Sequence, residues 1–221
     1  MKTTMKLLSI LVVLIAFTSC KKKSSDAKAK LEIVEKPASA TANKSANAIG
    51  TLTITKALVG VSKVDFETQA QNGDFQADQE YKYEGAFTFN LLTGESTPSI
   101  PAVTIDPGTY HELEVEIDDV MPSGNAIEVS GTYEVGGVTF QFEFTTKQDL
   151  TFEIENSQGV PVSQGDYVTF LLELDLRTLF SSIDFASATV GQNGIIRINA
   201  NSNEALHSFI NDRLDDMMDF D

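Results

Sequence analysis

The sequence predicts a mainly β protein, an antiparallel β-sandwich of about 7–9 strands closed by a C-terminal amphipathic α-helix. Three observations carry this expectation. Apolar side chains alternate with polar ones through most of residues 50–221, the period that buries one face of a strand. Turn-forming residues interrupt the alternation at intervals of roughly ten residues, as sandwich strands require. The period then changes to a helical one in the last twenty residues. A body of about 170 residues is one domain's length and is large enough to bury a substantial core.

Leu52 and Ile54 begin the alternation; Val59, Val61, Val64 and Phe66 continue it with a phase slip at Ser62-Lys63 that predicts a β-bulge. Tyr81, Tyr83, Phe87, Phe89 and Leu91 form the next set. Leu113, Val115 and Ile117 follow, then Ile127, Val129, Tyr133 and Val135. Val138, Phe140, Phe142 and Phe144 alternate most regularly, and Phe152-Ile154 and Val168 to Leu174 complete the strands. Gly136-Gly137 between two such runs predicts a two-residue hairpin turn. Asp106-Pro107-Gly108-Thr109, Pro122-Ser123-Gly124-Asn125, Asn156-Ser157-Gln158-Gly159 and Gln164-Gly165-Asp166 are the other dividers. Residues 176–185 (LRTLFSSIDF) predict a helical turn at one end of the sandwich. Asn201, with Glu204 three residues on, predicts a capping box. Leu206, Phe209, Ile210, Leu214, Met217 and Met218 follow as the helix's apolar stripe, expected to pack on the sandwich.

The N-terminus carries an address. Lys2 and Lys6 precede an apolar run of eleven residues, Leu7 to Phe17, and small residues lead to Cys20. That is the order of a signal peptide over residues 1–19, with a run too short to span a bilayer. Phe17-Thr18-Ser19-Cys20 resembles a bacterial lipobox, whose cysteine is lipidated and becomes the first mature residue; Phe17 departs from the usual aliphatic residue there. Cys20 is the single cysteine of the chain, so an intrachain disulfide is excluded. Residues 20–49 are then expected to be the lipidated cysteine and a flexible tether, rich in Ala, Lys and Ser with one apolar patch at Leu31, Ile33 and Val34.

Charge divides at the same place. Residues 1–49 carry nine lysines and three acids, a net of +6; residues 50–221 carry seven Lys and Arg and 29 acids, a net of −22. So acidic a body repels nucleic acid and anionic membrane alike, leaving the lipidated Cys20, with Lys21 to Lys23 beside it, as the link to the membrane.

The stretches 52–67 (LTITKALVGVSKVDFE), 87–98 (FTFNLLTGESTP), 105–118 (IDPGTYHELEVEID), 174–185 (LDLRTLFSSIDF) and 193–203 (NGIIRINANSN) resemble an uncharacterised group of lipoproteins from Bacteroidota-type cell envelopes. The resemblance implies a prealbumin-like or carbohydrate-binding-module-like sandwich of unknown function, held in the outer membrane. In that group an acidic stretch after the anchor accompanies surface display; Lys21 to Lys23 stand there instead, which favours the periplasmic face.

Chemistry-bearing motifs are sparse. The chain has no HExxH, GxSxG, phosphate-binding glycine loop or Cys/His cluster, so a noncatalytic binding or scaffolding module is expected. His111 and His207 are both expected at the surface. Asp118, Asp119, Ser123 and Asn125 bracket a turn and are the candidate oxygen ligands for calcium. Asp74, Asp78 and Glu80 gather in the polar stretch 68–79 and at its end, and a solvated acidic surface is the simpler reading of both groups. Gly191 and Asn193 stand where a calcium hairpin would need carboxylates. A glycan platform favours exposed aromatic rings, and the chain has no Trp; Tyr81, Tyr83, Tyr110, Tyr133 and Tyr167 mostly share parity with core residues. The partner class is therefore a protein or a glycan, and a hydrolase is the last alternative.

Overall fold

The computed structural model describes residues 26–36, 51–68 and 79–216. Its strands are β1 (Ala27–Glu35), β2 (Thr51–Thr68), β3 (Gln79–Asn90), β4 (Glu95–Thr97), β5 (Val103–Ile105), β6 (Gly108–Ile117), β7 (Ile127–Val135), β8 (Val138–Thr146), β9 (Leu150–Val162), β10 (Tyr167–Leu174) and β11 (Ile195–Ile198). Two short helical pieces, α1 (Leu176–Ser181) and a 3-10 turn at Phe185–Ser187, precede β11, and α2 (Glu204–Asp216) follows it. The strands make a sandwich of two sheets. The smaller has the order β10-β1-β5; the larger runs β11-β8-β7-β2-β3-β4, with β6 on β2 and β9 on β6.

The first strand corrects the expected tether. Residues 27–35 form the central strand of the small sheet, parallel to β10 from Lys28↔Tyr167 to Glu35↔Leu174 and antiparallel to β5 from Ala27↔Ile105. Ala27, Ala29, Leu31 and Ile33 are buried, while Lys28 is exposed and Lys30 half-exposed. Composition concealed this because half of the buried positions are alanines, which contribute little area; Leu31 and Ile33 each add about 1.5–3 kcal/mol by burial. Ion pairs hold the strand's far end: Arg177 Nε donates to Glu35 Oε1 at 2.9 Å and Lys36 lies 3.5 Å from Asp175.

The long strand β2 organises the large sheet. Its first half, Thr51 to Val59, pairs with β7, and its second half, from Val61 to Glu67, pairs with β6 along the same edge. Gly60 stands at the joint. Its N–H donates to Ala126 O at 2.8 Å and its carbonyl accepts from Asp118 N–H at 3.0 Å. A Cβ there would lie 2.5 Å from Asp118 O, so only glycine lets β6 leave and β7 enter at one point. The bulge expected at Ser62-Lys63 is present as a register shift between Val61 and Lys63. The β7–β8 turn is the expected two-residue hairpin: Gly136 and Gly137 both have positive φ, 59° and 79°, the backbone of a type I′ turn.

Several details depart from expectation. Two neighbouring pairs, β1 with β10 and β8 with β11, are parallel. Asn156 to Gly159 does not divide two strands; the β6 register passes from Glu112↔Glu155 to Tyr110↔Val160, so these four residues are an excursion within β9. The α2 capping box is not made at Asn201. Asn203 precedes the helix with φ 53°, its carbonyl accepts from Leu206 and His207 N–H, and its side-chain amide ties Thr189 and Arg197 together.

The core between the sheets is aromatic at both ends. Phe66, Phe170 and Tyr110 meet at one, with Phe66 and Phe170 ring centroids 4.9 Å apart. Phe142, Phe144, Phe180, Phe185 and Tyr133 meet at the other, and Tyr133 stacks on Phe185 at 4.7 Å. α1 is capped by Asp175, whose carboxylate accepts from Thr178 N–H at 2.9 Å. On α2, Ile210 and Leu214 are buried as expected. Phe209 is exposed, with the Arg213 guanidinium 4.7 Å over its ring, and Met217 and Met218 lie outside the described residues.

Candidate functional site

The β6–β7 connection carries the residues singled out for calcium. Asp118 continues β6 past its last core residue, Ile117, and is fixed by its backbone bond to Gly60. Asp119 N–H donates to Asp118 Oδ1 at 2.7 Å, and Gly124 N–H to Met121 O at 2.7 Å with Gly124 at φ 70°. The loop thus folds back on itself.

The four side chains serve two different partners. Asn125 Nδ2 donates to Glu128 Oε1 at 2.8 Å, Lys56 Nζ donates to Glu128 Oε2 at 2.6 Å, and Ser123 also hydrogen-bonds Glu128. Burial pushes the Glu128 carboxyl up, but these three donors together hold it down to about 2. On the other side Asp118 shares a hydrogen bond with Asp149, which raises the Asp149 pKa, as do burial and the charges of Asp118 and Asp119. Lys147 lies 3.7 Å from Asp119. Ser123 and Asn125 therefore belong to a carboxylate cradle around Glu128, and Asp118 and Asp119 to a carboxyl pair with Asp149. Among the described residues no three His, Cys, Asp or Glu side chains are grouped to hold a metal ion. Asp74 and Asp78 lie outside the described residues, as does Cys20.

A larger arrangement spans the outward face of β3, β2, β6 and β9. The sequence puts acids at every second position of β6, Glu112, Glu114 and Glu116, opposite the buried Leu113, Val115 and Ile117. Register then aligns three cross-strand rows. One is Glu84–Lys63–Glu116–Thr151; the next is Lys82–Asp65–Glu114–Glu153. In these, Lys63 Nζ donates to Glu114 at 2.6 Å and to Glu116 at 3.2 Å and lies 3.9 Å from Asp65, while Lys82 lies 3.5 Å from Asp65. The Glu114 bond raises the Lys63 pKa against the effect of burial, with Glu116 adding to it; reciprocally, Lys63 holds Glu114 below the usual carboxylate range. The third row is Glu80–Glu67–Glu112–Glu155, four glutamates on four adjacent strands. The register alone sets these four acidic positions opposite one another, with Glu67 and Glu112 directly paired. Alternation in the sequence marks Glu67 and Glu112 as outward-facing; nothing in it discloses that they stand opposite each other.

The histidines are corrected. His111 is buried, 9 % exposed, because a register shift between Tyr110 and Glu112 turns it inward beside Tyr110. The excursion in β9 covers it, with Gly159 at φ 67° where a Cβ would come within 2.8 Å of the imidazole. His207 is half-buried, its ring 5.9 Å from Phe144; burial lowers its pKa, opposed by a hydrogen bond to the Thr145 backbone. Of the tyrosines, Tyr110 and Tyr133 are buried, Tyr81 and Tyr83 half-buried, and Tyr167 is exposed.

Comparison with known proteins places the chain in a family. No curated protein and no solved structure matches it. The family model "Domain of unknown function (DUF4382)" matches residues 50–193, well over half of the 221-residue chain, from the start of β2 to the turn before β11. β1 and α2 lie outside the matched span, although both pack into the same sandwich. The chain belongs to the DUF4382 family.

Proposed function

We propose that this protein is a noncatalytic lipoprotein of a Bacteroidota-type cell envelope, anchored through Cys20 on the periplasmic face of the outer membrane, and that it presents its acidic sheet face to a basic protein partner. The observation that carries this reading is the one-signed charge of the body, a net of −22 over residues 50–221, with Glu67 and Glu112 among the acids brought together on the sheet. A surface of one sign is complementary to a partner that supplies lysines or arginines, and the complementarity selects that partner over acidic ones. Charge of one sign also speeds encounter with an oppositely charged surface. The lipobox resemblance at Phe17 to Cys20 supports the anchor.

Zero-length carbodiimide crosslinking in cells tests it, because that reagent joins a carboxylate to a lysine in direct contact. A discrete heavier adduct is expected from the wild type, lost when Glu67→Gln and Glu112→Gln are combined. An adduct unchanged by that pair, or the absence of any adduct, overturns the partner surface. A Cys20→Ala protein is expected in the soluble fraction; if it stays with membranes as the wild type does, the anchor is wrong. Protease added to intact cells should leave the wild type uncut until the outer membrane is broken, and cutting before that places it on the surface instead.

A further inference from the structure

The seating of β1 fixes which end of the molecule meets the bilayer. This inference rests on the lipidation of Cys20 proposed above. Ala27 is fully buried and paired with Ile105, so the chain is held in the sandwich at that point. Six residues lie between Cys20 and Ala27. Seven Cα steps reach at most about 25 Å, whereas a chain free as far as residue 50 would reach about 100 Å. A body much longer than its leash cannot turn over on it. β2 alone runs eighteen residues, on the order of 60 Å at about 3.3 Å per residue.

The elements around Ala27 define the near end. Lys28 N–H donates to Asp166 O at 2.8 Å, which puts the Ser163–Asp166 turn beside the start of β1. The Asp106 turn lies there too, since Ile105 pairs with Ala27 and Asp106 N–H donates to Tyr81 Oη at 2.9 Å. The far end is equally well marked. Glu35, where β1 stops, donates its N–H to Leu91 O, and Leu91 in turn bonds Ala57 O. From Ala57, β2 runs on away from that level to Thr51, which pairs with Glu134 just before the Gly136-Gly137 hairpin.

The geometry points to one orientation on the membrane: the Asp106 and Gln164 turns face the lipid headgroups, and the β7–β8 hairpin points away from them. The lysines Lys21, Lys22 and Lys23 fall within the leash, where an anionic surface attracts them. The acidic body is not drawn to the same lipids. Its repulsion is screened within a Debye length of about 8 Å, so a leash of about 25 Å lets it stand clear without letting it rotate. The Glu67–Glu112 row is carried on the membrane-side half of β2.

The lipidated full chain offers a direct test, because lipidation consumes its only native thiol and leaves any introduced cysteine uniquely reactive. Gln164→Cys marks the near end and Val138→Cys the far end; both positions are exposed. Each variant, labelled with a donor fluorophore, is reconstituted into phosphatidylethanolamine–phosphatidylglycerol vesicles carrying a headgroup acceptor. Energy transfer several-fold stronger from position 164 than from position 138 is expected. A spacer of about twenty Gly and Ser residues inserted after Ser25 should bring the two close together. Co-flotation with the vesicles but equal transfer from both positions, or stronger transfer from 138, overturns the orientation and leaves the anchor standing. Wild-type protein that takes the label at Cys20 and fails to float overturns the anchor, and the orientation with it.

Discussion

Two rows of the same sheet face, one step apart on the same strands, are built differently. In the Lys82–Asp65–Glu114–Glu153 row and its neighbour through Lys63, two lysines are set among the acids, and Asp65 is 6 % exposed beneath them. In the Glu80–Glu67–Glu112–Glu155 row every position is acidic. Backbone, pleat and strand neighbours are shared, so the contrast lies in side chains alone. The first arrangement sets lysines against acids and contributes to the fold; the second brings acidic positions together by register alone, and it is the part of the face on which the proposed partner surface is tested.

The comparison can be broken most severely at Gly60, which holds β6 and β7 in register on β2. Gly60→Ala must displace Asp118 O, 2.5 Å from the new methyl, and a loss of about 1–3 kcal/mol is expected from chemical denaturation. Lys63→Met comes next. It strips Glu114 and Glu116 of a shared donor whose side chain is only 20 % exposed. Buried pairs cost about 3–5 kcal/mol to break, and partial solvent access should reduce this to about 2 kcal/mol. Loss below about 0.5 kcal/mol would make the network ornamental rather than structural.

Acid sharpens the same contrast. Glu114 is depressed in the folded state, so its contribution is full above the unfolded carboxylate value of about 4.3 and is lost as pH falls toward the folded one. Denaturation midpoints of the wild type should fall between pH 6 and about pH 3, and the part due to Glu114 should vanish in Lys63→Met. The smallest effect has the opposite sign. Glu67→Gln, in the all-acidic row, should stabilise by about 0.2–1 kcal/mol, and the gain should shrink as salt is added. Destabilisation instead would place Glu67 in the fold's own economy of charge.

How much of this was legible follows a consistent rule. Alternation located β3, β6, β7, β8 and β10, and even the irregularity at Ser62-Lys63, because a bulge shows as a phase slip along one strand. The His111 bulge left no such mark: Tyr110 and His111 are consecutive and both turn inward only because β9 makes its excursion opposite them. β1 was hidden because alanine at a buried position looks like alanine in a tether. The candidate ligands Asp118, Asp119, Ser123 and Asn125 share one loop in the sequence, but their separate allegiances, to Glu128 and to Asp149, depend on residues brought in from β7 and from the β8–β9 connection.

By itself, then, the sequence determined the class of the fold, most of its strands and turns, the acidity of its body and the lipobox-like stretch at Cys20, all of which are properties of short windows or of composition. Tertiary structure alone decided which outward glutamates stand side by side, which histidine is buried, and that Ala27–Glu35 is a central strand of the sandwich. Those depend on register between strands distant in sequence, and register is set by the summed packing of two faces and by joints such as Gly60, which no local pattern encodes.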